Sequence, residues 1–237
     1  MASDPVLADL IRRAGPCRLG TTAAGDPFFL LLRAIVSQQL STKAAATIFG
    51  RLCGLFPATQ PSPSRLLALD DATLRGVGLS TNKVRFVRDL ASRVRDGRLD
   101  LEALPGQDDA AALQALTAVL GIGRWTAEIF LMFQLHRPDV FPADDLGLLT
   151  AMQRVYGLRT RPAPTRALRL AEPWRPHRTV AAWHLWRSRE LGSPAASGER
   201  LAASGERLAA SDHRTGPGGR SRPVVFQRPR AQGRHWD

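Results

Sequence analysis

The sequence predicts an all-α fold, and three observations carry that prediction. Apolar residues recur at helical spacing from Asp4 to Glu190, a capping residue stands at the start of each such stretch, and the alternation of a half-buried strand is nearly absent. About ten short helices are expected over this span. Ser3, Asp4 and Pro5 open a helix rather than a signal peptide. Asp26 before Pro27 is an N-cap followed by a first-turn proline, and Phe28, Leu31, Leu32 and Ile35 share one face after it. Ser41 caps a segment through Ala45, Ile48 and Leu52, and Ser62 with Pro63 opens a shorter one. Ser80 caps the segment holding Val84, Phe86, Val87 and Leu90, and Asp108 or Asp109 starts the one through Leu113 and Leu116. Asp144 and Asp145 precede a last clear stripe of Leu146, Leu149, Met152 and Val155.

The 237 residues, 44% of them apolar, suffice for one packed unit or for two small lobes sharing a cleft. The last 47 residues differ, holding only six Leu, Val and Phe and no Ile, below what supports a core. The division is therefore a helical domain over 1–190 and a low-complexity, disordered basic tail over 191–237. Within the tail, AASGERL from Ala195 to Leu201 is repeated from Ala202 to Leu208, too few copies for a solenoid. The terminal arginines, Arg220 to Arg234, would touch phosphates without specificity or do nothing.

A formal charge of +12 argues for a polyanionic partner, although only Lys43 and Lys83 are lysines and a bias toward arginine accounts for part of it. Eight arginines and four acids lie in the tail, so 25 basic against 17 acidic residues, a net +8, belong to residues 1–190. Two cysteines, Cys17 and Cys53, exclude a disulfide framework and any metal site built from four thiolates, and they suit a reducing cytoplasm. No apolar run approaches the ~20 residues of a membrane span, so no membrane partner is expected.

The most specific stretch is LGIGRWTA, Leu120 to Ala127. Gly121 and Gly123 flank one apolar residue and let the backbone turn sharply, leaving amide N–H groups exposed where the next helix begins. Such an end is an anion site suited to phosphate. An isolated GxG is more often an ordinary tight turn, but in a basic chain, with Arg124 and Thr126 beside it, the phosphate reading moves ahead.

Taken together, IVSQQLS (Ile35 to Ser41), GLSTNK (Gly78 to Lys83), LGIGRWTA and FPADDLGL (Phe141 to Leu148) resemble the helix-hairpin-helix DNA glycosylase superfamily, and within it the DNA-3-methyladenine glycosylase II branch. The motifs occur in the family's order from Asp26 to Trp186, about two thirds of the chain. The resemblance implies a two-lobed helical fold without the extra N-terminal β domain of some bacterial members. It implies a base-excision repair enzyme that flips an alkylated purine, such as 3-methyladenine or 7-methylguanine, out of double-stranded DNA and hydrolyses its glycosidic bond. It implies no cofactor and no metal bound by side chains, leaves open a monovalent cation held by carbonyls beside the hairpin glycines, and implies a monomer and a place in the bacterial cytoplasm at the nucleoid.

Residue by residue, Asp145 matches the catalytic aspartate, while Asp144 is the better candidate for a plain helix cap. Trp125 stands where bifunctional members carry the lysine that forms a Schiff base, which implies a monofunctional enzyme using water. Its ring suits a cationic alkylpurine, as does Trp186, a second pocket aromatic. Trp174 and Trp183 are assigned to the core. Ile129 replaces a pocket tyrosine of some members, which leaves the substrate range open. Gln39 falls where members insert a side chain into the duplex, with an ordinary exposed helix-end residue close behind. Gly121, Gly123, Arg124 and Thr126 would bind a phosphate. Ser80 explains most of GLSTNK as a cap, with a phosphate contact from Lys83 evenly weighed. His136, His177 and His184 have no metal-like spacing and are assigned to the surface or to a satisfied core. Removal of uracil or an oxidised purine is the nearest alternative, and a noncatalytic DNA-binding module a more distant one.

Overall fold

Caps set the helix starts much as their positions predict. The side chains of Asp4, Asp26, Ser41, Asp70, Ser80, Asp108 and Asp145 each accept the N–H three residues on, satisfying one of the amides a helix leaves unbonded. Ser62 also precedes a helix but makes no such bond. The computed structural model describes residues 4–19 and 25–191, and no strand occurs among them. Of the tail expected over 191–237 only Leu191 is described, and it packs against the core; residues 192–237, with the repeat and the terminal arginines, lie outside the described residues.

The described residues form eleven α-helices. They are α1 (Pro5–Ala14), α2 (Pro27–Ser37), α3 (Thr42–Cys53), α4 (Pro63–Ala68), α5 (Asp71–Gly76), α6 (Thr81–Arg95), α7 (Asp109–Thr117), α8 (Arg124–Phe133), α9 (Leu146–Val155), α10 (Pro164–Ala171) and α11 (Arg178–Arg187). Three short 3-10 turns, Pro57–Thr59, Leu104–Gly106 and Glu172–Trp174, sit between them. Of Asp108 and Asp109, it is Asp108 that caps α7.

Packing divides the helices into two groups. In one, α6 lies against α2, α4 and α5, and α3 packs on α2; in the other, α11 meets α1 and α9, and α10 meets α9. α7 packs on α8. Residues 126–132 of α8 are all buried, so this helix has no solvent face over two turns, as befits an element enclosed by its neighbours. Leu31, Leu32, Ile35, Leu52, Leu74, Leu90 and Leu116 form the centre of one continuous core.

The N-terminal helix is pinned by a polar staple. The Asp4 carboxylate accepts the Leu7 N–H on one oxygen and, on the other, the Tyr156 hydroxyl at 2.7 Å and the Trp174 indole N–H at 2.9 Å. Trp174 is completely buried, as a core tryptophan should be, and stacks on Tyr156 with centroids 6.1 Å apart. Trp183, assigned to the core with Trp174, is instead half-buried and lies outside the core, its ring edge-on to His184. Tyr156 closes the C-terminal end of α9, whose other end carries the site described next.

Candidate active site

Asp145 caps α9 and is only 7% exposed. Three donors converge on its carboxylate: Oδ1 accepts the Leu148 N–H at 2.6 Å and the Trp186 indole N–H at 3.0 Å, and Oδ2 accepts the Trp125 indole N–H at 2.9 Å. Three distant pieces of chain supply the group, with Trp125 on the first turn of α8, Asp145 at the head of α9 and Trp186 on the last turn of α11. Both tryptophans singled out as pocket aromatics are thus bonded to the aspartate singled out as the acid. That they hold the carboxylate by their N–H edges is a role the sequence reading missed. The signal was available, since an indole is a donor only and a half-buried one seeks an acceptor.

Two further residues border this group. Phe133, on the last turn of α8 and 38% exposed, stacks on Trp186 with centroids 6.0 Å apart. Gly147 has no Cβ, and one placed there would come 3.1 Å from Asp145 Oδ1 and 3.2 Å from a guanidinium nitrogen of Arg189. The glycine of FPADDLGL therefore lets an exposed arginine approach the head of α9. Asp144, expected as the plain helix cap, does not fill that place: it is exposed one residue before the cap, and Asp145 itself caps α9, while Ile129 is buried.

The hairpin between α7 and α8 uses its two glycines differently. Gly121 has φ +83°, and a Cβ on it would lie 2.4 Å from the Phe86 ring, so both backbone and packing require glycine. Gly123 caps α8 with an ordinary φ of −82°, and a Cβ there would meet nothing within 4 Å. No side chain caps α8, so its first amides remain for an incoming acceptor. Arg124 is exposed and pairs with Glu128 at 2.8 Å. Glu128 is buried with its Oε2 unpartnered; burial pushes its carboxyl pKa up against the pull of Arg124, and Asp144 adds to the rise. Thr126 is 8% exposed, which leaves its backbone N–H rather than its side chain for any ligand.

Gln39 is exposed and adopts φ +57°, a left-handed conformation rare for a residue with a side chain. Its neighbours hold the loop. Gln38 donates its side-chain amide to the Gly121 carbonyl at 2.7 Å, and Lys83 Nζ donates to the carbonyls of Val36 at 2.6 Å and Gln38 at 2.8 Å. Lys83 is therefore engaged within the protein, and burial pushes its pKa below the usual lysine value. Lys43, the other lysine, is exposed on the first turn of α3.

His136 and His177 are exposed. His184 departs from the expected satisfied core histidine: it is 1% exposed, its Nδ1 has no partner, and burial pushes its pKa down. A cavity of about 290 Å³, lined by Cys17, Met132, His136 and Arg137 among others, shares no residue with the Asp145 group. Among the described residues no cluster of His, Cys, Asp and Glu could hold a metal ion.

A family model described as "HhH-GPD superfamily base excision DNA repair protein" matches residues 32–176, more than half of the chain. The chain belongs to the HhH-GPD superfamily. Among similar HhH-GPD proteins, DNA-3-methyladenine glycosylase 1 of Schizosaccharomyces pombe is 35% identical over 173 residues, covering 70% of this chain and 74% of its own. The solved structure of a Schizosaccharomyces pombe 3-methyladenine DNA glycosylase in complex with abasic DNA superposes with a TM-score of 0.72 at 32% identity, covering 81% of this chain and 94% of that one. A DNA-3-methyladenine glycosidase of Bacillus halodurans gives 0.73 at 36% identity, covering 79% and 85%. The HhH-GPD fold thus agrees with the two-lobed helical architecture expected from the motifs.

Proposed function

We propose that this HhH-GPD protein is a monofunctional DNA glycosylase that hydrolyses the glycosidic bond of alkylated purines in duplex DNA. The observation that carries the reading is the Asp145 carboxylate held between two indoles at a helix head. An ionised carboxylate offers about four acceptor positions. Leu148 and Trp186 occupy Oδ1 and Trp125 alone occupies Oδ2, so a lone pair on Oδ2 remains for chemistry.

That lone pair would face the sugar as the base departs. Breaking the glycosidic bond builds positive charge on the ribose, and a fixed carboxylate stabilises it while orienting the attacking water. The flipped, cationic base would rest against the aromatic faces of Trp125 and Trp186, a contact of about 0.5 to 2 kcal/mol. Asp144, exposed and outside the indole pair, has no part in this step. The first amides of α8 with Arg124 would take a backbone phosphate, and Gln39 would enter the space vacated in the duplex. Trp125 occupies the hairpin position from which an amine would attack, and neither lysine is bonded within the Asp145 group, which supports water as the nucleophile. The names of the relatives point to the same substrate class.

The test is to incubate the protein with methylated duplex DNA and to separate released bases by chromatography. Release of 3-methyladenine or 7-methylguanine, lowered by about 100-fold or more in Asp145→Asn and with no borohydride-trapped adduct, is the expected result. Release of uracil or an oxidised purine alone would reassign the substrate, and no release from any of these would leave a DNA-binding module.

A further inference from the structure

One stripe of α6 carries three contacts to the loops that flank the proposed DNA face. Lys83, Phe86 and Asp89 follow at intervals of three residues, so they share a side of the helix. Lys83 Nζ holds the carbonyls of Val36 and Gln38 at the end of α2, the Phe86 ring fills the space beneath Gly121, and Asp89 Oδ2 accepts the Leu120 N–H at 2.8 Å. A cross-tie closes the triangle, since Gln38 also donates to the Gly121 carbonyl. The ammonium lies where a helix C-terminus concentrates negative potential.

Gln39 stands at the free corner of this triangle. A non-glycine residue persists in the left-handed region only where its surroundings over-determine it. Here the preceding residue is held at both its main-chain carbonyl and its side chain. We infer that Lys83, through Gln38, is a positioning residue that presets Gln39 for insertion into duplex DNA and fixes its place relative to the hairpin. The inference rests on the glycosylase reading above. It assigns the GLSTNK motif a task inside the protein, with α6 as the common support of the inserting loop and the phosphate-binding hairpin.

A double-mutant cycle on the full chain tests it. Lys83→Met, Gln39→Ala and the pair together are compared by single-turnover release of 7-methylguanine from a duplex, with urea unfolding run on each variant. Lys83→Met is expected to slow release about tenfold in the parent and less than about twofold in the Gln39→Ala background. A lysine that served only stability would slow both backgrounds equally, because an exposed Gln39 does not transmit stability, and equal slowing overturns the inference. Gln38→Leu, which cuts the tie to Gly121, runs through the same cycle and replaces Lys83→Met should that variant fail to fold. Absence of release of both 7-methylguanine and 3-methyladenine by the parent protein would instead sink the glycosylase reading, a result separate from additivity in an active enzyme.

Discussion

Asp4 and Asp145 are the same device put to opposite ends. Each caps a helix, accepts the amide three residues on, and takes two aromatic donors from remote parts of the chain. The two differ in what is hidden. At Asp4 the Trp174 ring is wholly inside, the carboxylate is half-exposed, and both aromatic donors sit on one oxygen. At Asp145 the carboxylate is buried, the indoles are half-exposed, and their donors are divided between the two oxygens. The first arrangement fastens rings into the core. The second fastens an acid and leaves ring faces for a guest, with α9 joining the two ends.

The comparison breaks most readily at the acids themselves. Asp145→Asn should lower base release by about 100- to 1000-fold, measured by chromatography on methylated duplex, while its urea midpoint shifts far less. Asp4→Ala should do the reverse, costing about 2 kcal/mol in urea unfolding with release at 25 °C unchanged. A smaller effect separates holding the acid from stacking on the base. Trp125→Phe keeps a ring but loses the N–H to Oδ2, and about a tenfold fall in single-turnover release is expected; a loss confined to substrate affinity would show that the ring face alone matters. The smallest effect lies in pH. Burial tends to raise the Asp4 pKa, but the Leu7 N–H, the Trp174 indole and the Tyr156 hydroxyl outweigh it and hold the value below the ordinary 3.8. The folded state therefore binds fewer protons than the unfolded one in the interval between the two values. The stability contributed by Asp4 is full above the ordinary value and is lost as pH falls through the lower, folded one. The gap between parent and Asp4→Ala in urea should thus be wider at pH 7 than at pH 3.

The two aspartates also show what a sequence discloses. Both helix starts were legible, because a cap and its partner lie three residues apart. Hence Asp26, Ser41, Ser80 and Asp108 fall where expected, although Ser62 opens α4 without closing its bond. Asp145, Trp125 and Trp186 are singled out by their motifs, but not the bonds among them, which span 20 and 41 residues. The staple at Asp4 spans 152 and 170 residues and left no local trace. The task of Lys83 is hidden for a related reason: its sequence leaves a phosphate contact evenly weighed, and only the approach of α2 turns its ammonium to carbonyls 45 and 47 residues away.

The unlike glycines of the hairpin carry a consequence for any library of variants. At Gly121 the interior forbids a side chain, so substitutions there would vanish already from a screen for soluble, folded protein. At Gly123 the fold is indifferent: the backbone angles suit any residue and the missing Cβ faces empty space. Variants at 123 should pass the solubility screen and disappear only when cells are challenged with an alkylating agent, so that two positions one residue apart would record separately the demands of folding and of DNA.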